Sequence, residues 1–491
     1  MESAFPAVCR RGRLRNPFAV GWFTVPTLSF FAQAASLRLF GDSVAGLRAL
    51  SALIGTATLP ITYVLARRSL GRRVALFALA ALTFNHYHIH FSRLGSNQVA
   101  DPFFITLTLW LLTEGLRRTK QNQKQGTNCA RCWFIVTGVV LGLSWYGYFG
   151  SRVIALIVAI YLGMQSLAER GFLRKHVRVL ILMTLMALMT VSPLLLYYAS
   201  HPENLSARMN QVSFLRWLGQ ELERPDHDST FTLVTRQVWR SISAFNYTLD
   251  PTFWYRAEIP LLDFVSGILF VLGLVVALSQ WRRPAARLIL LWFWLALVFG
   301  WVLTENPPSS MRMLIIMPAV ALLVALGLDR LLHLARWVIG GPHTQWNWVG
   351  VALMSLVALL NIHYYFSVYT PSRVYGNPTA ETGTVLARYL RDSVATEGVQ
   401  PFVYFYGPPF LYYDFGSIQF IARNVPGVSV PPTDEDPSFQ TQVEGPTLFV
   451  VLRERLEELA SVQERHPNGR ISEFHSQADG RLMFVIYEVL R

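Results

Sequence analysis

The sequence predicts an α-helical polytopic membrane protein of about ten spans with a small C-terminal α/β domain. Three observations carry this. Of 491 residues, 52% are hydrophobic and only 15% are charged, where a soluble globular protein has about a quarter charged. The apolar residues are gathered into runs of roughly 17 to 25, the length a bilayer core needs. Lys and Arg concentrate in alternate loops between those runs, as the positive-inside rule requires.

Residues 1–44 read as an external or interfacial N-terminal segment. Arg10, Arg11, Arg13 and Arg15 form a basic cluster. No apolar core follows it directly, so it is not a secretory signal. Residues 22–40 are apolar but interrupted by Pro26 and by polar residues, the pattern of a helix lying in the interface. The membrane domain covers 45–367, with spans at 45–66, 73–91, 101–118, 133–149, 152–167, 179–198, 263–280, 287–304, 312–332 and 346–367. Loops 67–73, 117–131, 169–178, 281–287 and 329–337 are basic, and they alternate with loops poorer in Lys and Arg at 92–100, 147–151, 199–262 and 305–311. The alternation places the His86–Asp101 turn, the large 199–262 loop and the domain at 368–491 outside the cytoplasm. It also places the N-terminal arginines outside, the one exception to the rule.

Beyond residue 367 the period changes. Residues 380–396 predict an amphipathic helix. PFVYFYG (401–407) and PTLFVVL (446–452) predict strands, the second leading into the helix RERLEELASVQER. ISEFHSQ and RLMFVIYEVL, separated by ADG, predict a hairpin.

Some functions are excluded. The net charge of +13 is spread over short loops with no nucleic-acid-binding motif, so no nucleic-acid partner is expected. Three cysteines do not make a disulfide framework, and Cys129 and Cys132 lack the second ligand pair of a zinc site.

Five stretches, in order, resemble a known family. They are PTLSFFAQA from Pro26; LFGDSVAGLR from Leu39 to Arg48; IHFSR from Ile89 to Arg93, with Asp101 and Pro102 opening the next span; GLSWYGYFGSR from Gly142 to Arg152; and RMLIIMP from Arg312 to Pro318. The set is similar to the GT-C membrane glycosyltransferases over most of residues 20–335. The branch it resembles holds the dolichyl-phosphate-mannose protein mannosyltransferases and the lipid A aminoarabinose transferases. That resemblance implies transfer of a sugar from a polyprenyl-phosphate donor, in contact with membrane lipid, to a protein, lipid or glycan acceptor on the outer face. In such enzymes an acid of the first external loop acts as general base or orients the acceptor, and a second Asp supports that loop. Asp101 matches the second. The first has no counterpart, because the family's opening span and Asp-Glu pair fall before Met1, and Asp42 matches a position that is not catalytic. A truncated, non-catalytic scaffold is therefore the alternative expectation, followed by a transporter of lipid-linked sugars.

The residues themselves suggest roles. Asp101 before Pro102 is also an ordinary helix start, an N-cap with Pro at N1. Arg48, Arg93, Arg152 and Arg312 sit near external span ends, where Arg is uncommon; the flat guanidinium suits a lipid phosphate. Snorkelling to headgroups is the plain alternative. His86, His88 and His90 do not share one helix face, so they predict interfacial histidines rather than a metal site; His90, one turn before Arg93, is a candidate base. Glu305, in the short TENPPSSMR loop, is a candidate for acceptor contact. Tyr247, Trp254 and Tyr255 suit an interfacial belt. No metal ligands are assigned, and a divalent metal stays open as cofactor.

Overall fold

The computed structural model describes residues 16–21, 24–125, 130–224, 226, 228–373, 377–397, 400–432 and 445–489. The N-terminal arginine cluster and Cys129 lie outside these residues. The described chain forms two compact units, Asn16–Tyr369 and Thr370–Arg491.

The first unit is helical. Its opening elements are α1 (Leu28–Phe40), α2 (Val44–Ser69), α3 (Arg72–Phe84), α4 (His86–Leu94), α5 (Ala100–Gln125) and α6 (Ala130–Ser144). They are followed by α7 (Val153–Ala168) and α8 (Phe172–Ser200). The large loop is itself helical, holding α9 (Pro202–Val212), α10 (Phe214–Leu222) and α11 (Thr230–Ser243). The unit closes with α12 (Phe264–Ser279), α13 (Pro284–Leu297), α14 (Met317–Ile339) and α15 (His343–Ile362).

Among the described residues, seven helical stretches are long and apolar enough to cross a membrane: Val44–Ser69, Asn97–Gln121, Phe149–Ala168, Phe172–Ser200, Pro284–Val302, Ser310–Ile339 and His343–Ser372. Leu28–Phe40, Arg131–Ser144 and Phe264–Ser279 are shorter apolar helices. Ser310–Ile339 is the most buried of the long stretches and forms the axis of the unit. It meets α12 backbone to backbone. A Cβ on Gly273 would stand 1.8 Å from the Leu323 carbonyl oxygen, and one on Gly327 would stand 2.0 Å from that of Leu269. Only glycine permits this approach, and close approach is what drives helix association where lipid competes for apolar contact. Trp292 and Trp301 pack beside the axis, fully buried, with their indole N–H groups donating to the carbonyls of Ile315 (2.9 Å) and Ser309 (2.8 Å).

One expected span is corrected. The run 73–91 is not continuous, because Asn85 separates α3 from α4. Asn85 caps α4: its Oδ1 accepts from the His88 N–H (3.0 Å), and its amide donates to the Leu261 carbonyl (3.3 Å). The His86 N–H donates to Asn361 Oδ1 (3.2 Å), and the Asn361 amide donates to Asp263 (2.8 Å). These side chains satisfy backbone groups freed by the break, which is what a helix break among apolar surroundings requires. A second correction follows. His86, His88 and His90 are buried rather than interfacial.

The second unit is a five-stranded mixed sheet. Its strands are β1 (Phe402–Tyr406), β2 (Gly427–Ser429), β3 (Thr447–Leu452), β4 (Arg470–His475) and β5 (Leu482–Val489), in the order β2-β1-β3-β5-β4. β1 runs parallel to β2 and β3, while β5 runs antiparallel to β3 and β4. Every residue of the central β3 is buried, as a strand covered on both faces must be. One face packs on α16 (Pro378–Glu397), through Leu386, Ala387 and Leu390, and on α17 (Gly416–Ile421), through Ile418. The other face packs on α18 (Glu457–Arg465), through Val462. The edge strand β4 alternates exposed and half-buried residues.

Candidate functional site

All the expected site residues but Arg152 converge at one end of the helical unit, in two neighbouring groups. The first is built around Tyr148, at the turn between α6 and α7. Its phenol lies within electrostatic reach of Arg312 and Asp101 and hydrogen-bonds Arg208. Asp101 stands in the first turn of α5, and its carboxylate is fully engaged. Oδ1 accepts from the Ser151 N–H (3.1 Å) and from the Ser151 hydroxyl. A Cβ on Gly150 would stand 2.2 Å from Oδ2, so only glycine lets this turn close over the carboxylate. Asp101 therefore fastens the 148–151 turn to α5.

Arg312 and Glu305 pair across their short loop. The guanidinium donates to the Glu305 carbonyl (2.7 Å) and lies 3.7 Å from its carboxylate. The Arg312 side chain is only 14% exposed, and its Nε–H is buried with no partner among the described residues. A buried guanidinium with an unused donor is poised for an incoming anion. Glu305 is held from behind, because its N–H donates to the Val212 carbonyl (2.8 Å).

The same place holds an acid that sequence reasoning missed. Asp250 is buried in the loop after α11. It accepts from the Thr252 N–H (2.8 Å) and hydroxyl (2.6 Å), and from the Ser310 N–H (3.1 Å). Burial pushes its carboxyl above the ordinary aspartate range, and these donors offset only part of that. Tyr87 lies between the acids. Its hydroxyl donates to the Ser310 carbonyl, and the charges of both Asp250 and Asp101 act on it. Asp250 sits in TLDPTFW, where Asp-Pro reads as a loop turn and carries no sign that this carboxyl is buried.

The second group is aromatic and cationic. Arg93, exposed at the end of α4, lies over the rings of Tyr365 (5.5 Å) and Phe366 (5.0 Å). Arg48, also exposed, acts electrostatically on His90 and Tyr365, as Arg93 does. His90 is enclosed. Its Nε2 stands 2.9 Å from the Trp254 carbonyl, which assigns the proton to that nitrogen. Its Nδ1 is then left to accept from the Tyr365 hydroxyl at 3.4 Å, and its ring lies 4.4 Å from that of Tyr255. Tyr255 is fully buried rather than in a belt, and its burial pushes the phenol far above its usual range. Exposed Tyr247 fits the belt expectation.

Arg152 stands apart. It donates to the Tyr198 hydroxyl (2.6 Å) and is boxed by the rings of Trp145, Phe149 and Tyr198, with Phe149 nearest at 4.8 Å. That arrangement reads as packing. Among the described residues no three His, Cys, Asp or Glu side chains cluster as a metal site would need. Asp101 and Asp250 meet N–H and O–H donors instead.

This geometry can hold an anion against Arg312 or against the Arg48–Arg93 pair, beside a half-exposed carboxylate. Residues 24–197 match the family model described as dolichyl-phosphate-mannose-protein mannosyltransferase. An uncharacterized protein of Aquifex aeolicus (strain VF5) is 35% identical over 97 residues, which is 20% of this chain. The chain thus matches about a fifth (19%) of that relative's length. Among solved structures, ArnT from Cupriavidus metallidurans bound to undecaprenyl phosphate superposes with a TM-score of 0.59 at 15% identity, over 99% of this chain and 92% of that one. AglB, the oligosaccharyltransferase from Archaeoglobus fulgidus, in complex with an inhibitory peptide and a dolichol-phosphate, gives 0.53 at 14% identity, over 98% and 69%. At these identities the likeness is one of fold. The fold is shared with these two solved structures.

Proposed function

We propose that this chain, a multi-pass membrane protein of the GT-C fold, transfers a sugar from a polyprenyl-phosphate donor to an acceptor on the extracytoplasmic face. The observation that carries the reading is the half-buried Arg312, paired with Glu305 and keeping its buried Nε–H unused, at the end of the bundle where Asp101 and Tyr148 also converge. The family match supports it, because it spans the segment that supplies Asp101, Tyr148 and Arg93. The positive-inside pattern supports the orientation, and with it an extracytoplasmic α/β unit.

In the reaction an acceptor O–H attacks C1 of the donor sugar. The bond from C1 to the phosphate oxygen breaks, and polyprenyl phosphate leaves with that electron pair. Arg312 stabilises the negative charge growing on the leaving phosphate, because a preorganised cation in a dry site needs no reorganisation. Arg93 and Arg48 hold the donor phosphate as it arrives from the lipid. Glu305, the acid with the most open carboxylate of this group, takes the acceptor proton. Asp101 positions the 148–151 turn and does not meet the substrate. His90 packs the aromatic cage, its protons fixed by Trp254 and Tyr365. Arg152 braces α7 against α8.

The test is release of polyprenyl phosphate by the full-length protein in lipid nanodiscs, supplied with a panel of polyprenyl-phosphate hexoses and pentoses and with a membrane extract as acceptor. Label transferred to the extract, and lost in Arg312→Ala, supports the reading. No turnover of any donor by a folded protein overturns it.

A further inference from the structure

Beside Glu305 lies a cleft of about 310 Å³ lined by Gln211, Ser213, Arg216, Trp217, Gln220 and Glu305. It is at the small end of the range of ligand sites, about 300–1,000 Å³. We propose that it is a saccharide subsite, which holds a neutral, hydroxyl-rich sugar unit of the acceptor; this rests on the transferase reading above.

Four features point to that class of ligand. The first is the chemistry of the lining. Two amides, a hydroxyl, a guanidinium and a carboxylate offer donors and acceptors on several sides, and one indole supplies an apolar face. Hydroxyl-rich rings need both. The second is charge. The two charged lining residues, Arg216 and Glu305, carry opposite signs. The cleft differs in this from the Arg48–Arg93 pair, which suits a phosphate.

The third is rigidity. The chain from Val212 to Phe214 pairs with Leu303–Glu305: the Phe214 N–H donates to the Leu303 carbonyl (3.0 Å) and the Glu305 N–H to the Val212 carbonyl (2.8 Å). Buried Gln237 pins the second strand by donating to the carbonyls of Trp301 and Val302 (3.1 Å each) and Thr304 (2.5 Å). The Trp217 ring stacks on buried Phe214 at 5.6 Å and 27°. Its face is therefore preset, which lowers the ordering cost of binding. The fourth feature argues against a peptide acceptor in this cleft. Reading an extended peptide by strand addition needs a free strand edge. The two segments here already pair with each other at the groups named.

The cleft joins the charge cluster through Glu305, whose carboxylate is 3.7 Å from Arg312. A sugar seated on Trp217 would present its hydroxyl to the acid that takes its proton.

The experiment uses the full-length protein in fluorescent nanodiscs on an array of neutral hexose and N-acetylhexosamine di- to tetrasaccharides, with a Ser/Thr-rich peptide printed beside them. The expected result is binding to at least one neutral glycan, weakened about tenfold by Trp217→Ala. Gln220→Ala, at an exposed position, weakens it less and keeps the same melting temperature. Capture of the peptide alone overturns the proposal. So does binding unchanged in both variants, or no glycan bound by nanodiscs that still bind polyprenyl phosphate. Donor turnover, measured in parallel, separates the two readings. Glycan binding without turnover of any donor supports a saccharide site and defeats the transferase; turnover without glycan binding does the reverse.

Discussion

The charges at the two ends of the helical unit are held in different ways. At the basic end, Lys120 and Lys175 flank Glu169 at 2.8 and 3.5 Å, with all three side chains at least a third exposed. Arg117 and Arg118 reach one turn back to Glu114. The lysine pairs lie near water and are worth about 1 kcal/mol or less, while the buried Glu114 is met by side chains rather than by the backbone. At the other end Asp101 and Asp250 are buried and accept from backbone N–H groups of Ser151 and Ser310, and Arg312 donates to a backbone carbonyl. Charge at the first end sets topology. At the second it is fixed to the main chain, where a small displacement of a loop moves the group. That is the behaviour expected of a site.

The contrast can be tested by its consequences. Arg312→Ala is expected to reduce sugar transfer about a hundredfold or more, as loss of a preorganised charge does; more than a third of the activity remaining in a folded protein would make this cluster mere packing. Asp101→Ala leaves the buried Ser151 N–H without its acceptor and is expected to cost about 1–3 kcal/mol, read by thermal unfolding in detergent. Asp101→Asn keeps one acceptor oxygen and should cost less. An equal cost for both would mean that charge, and not the hydrogen bond, holds the turn.

Asp250 gives a pH test. Its folded pKa is raised, so the fold favours the protonated form. That contribution is complete below the unfolded value of about 3.9 and is lost as pH rises through the folded value. Stability should therefore fall over that interval, and Asp250→Asn should flatten the fall; the same slope in the variant would assign it to another group. Arg93→Ala and Arg48→Ala are expected to weaken polyprenyl-phosphate binding about three- to tenfold each, and less in high salt, because both side chains are exposed. A loss independent of salt would point to ring stacking instead. The smallest effect belongs to the basic end. Lys120→Ala should change stability by about 1 kcal/mol or less and leave transfer unchanged; a marked loss of transfer there would erase the difference between the ends.

Much of this was legible in the chain. Run length and loop charge located the long apolar helices but not the three helices inside 199–262, and period-2 segments located β1, β3, β4 and β5. The three-residue β2 was too short to show a period, and α17 too short to show a face. The break at Asn85 was hidden in a continuous apolar run, though Asn before the histidines is an N-cap signal. At the site, Asp101, Glu305, Arg312 and Arg93 could be named because each stands at a span end. The convergence of Arg312 on Tyr148 could not, since the two lie far apart in the chain. Asp250 and Tyr87 were missed because burial is a tertiary property and their neighbours in sequence look ordinary.

The break at Asn85 has a consequence for biogenesis. The N–H of His86, near the start of the chain, has its acceptor on Asn361, in α15. A ribosome makes these residues far apart in time. The α3–α4 segment must therefore wait, with a bare donor, until the last helix of the unit is made. Chains cut before Asn361 are expected to keep this region open to protease while those cut after Tyr369 are not, which pulse-labelled truncations would reveal. Insertion of this bundle would then finish at its beginning.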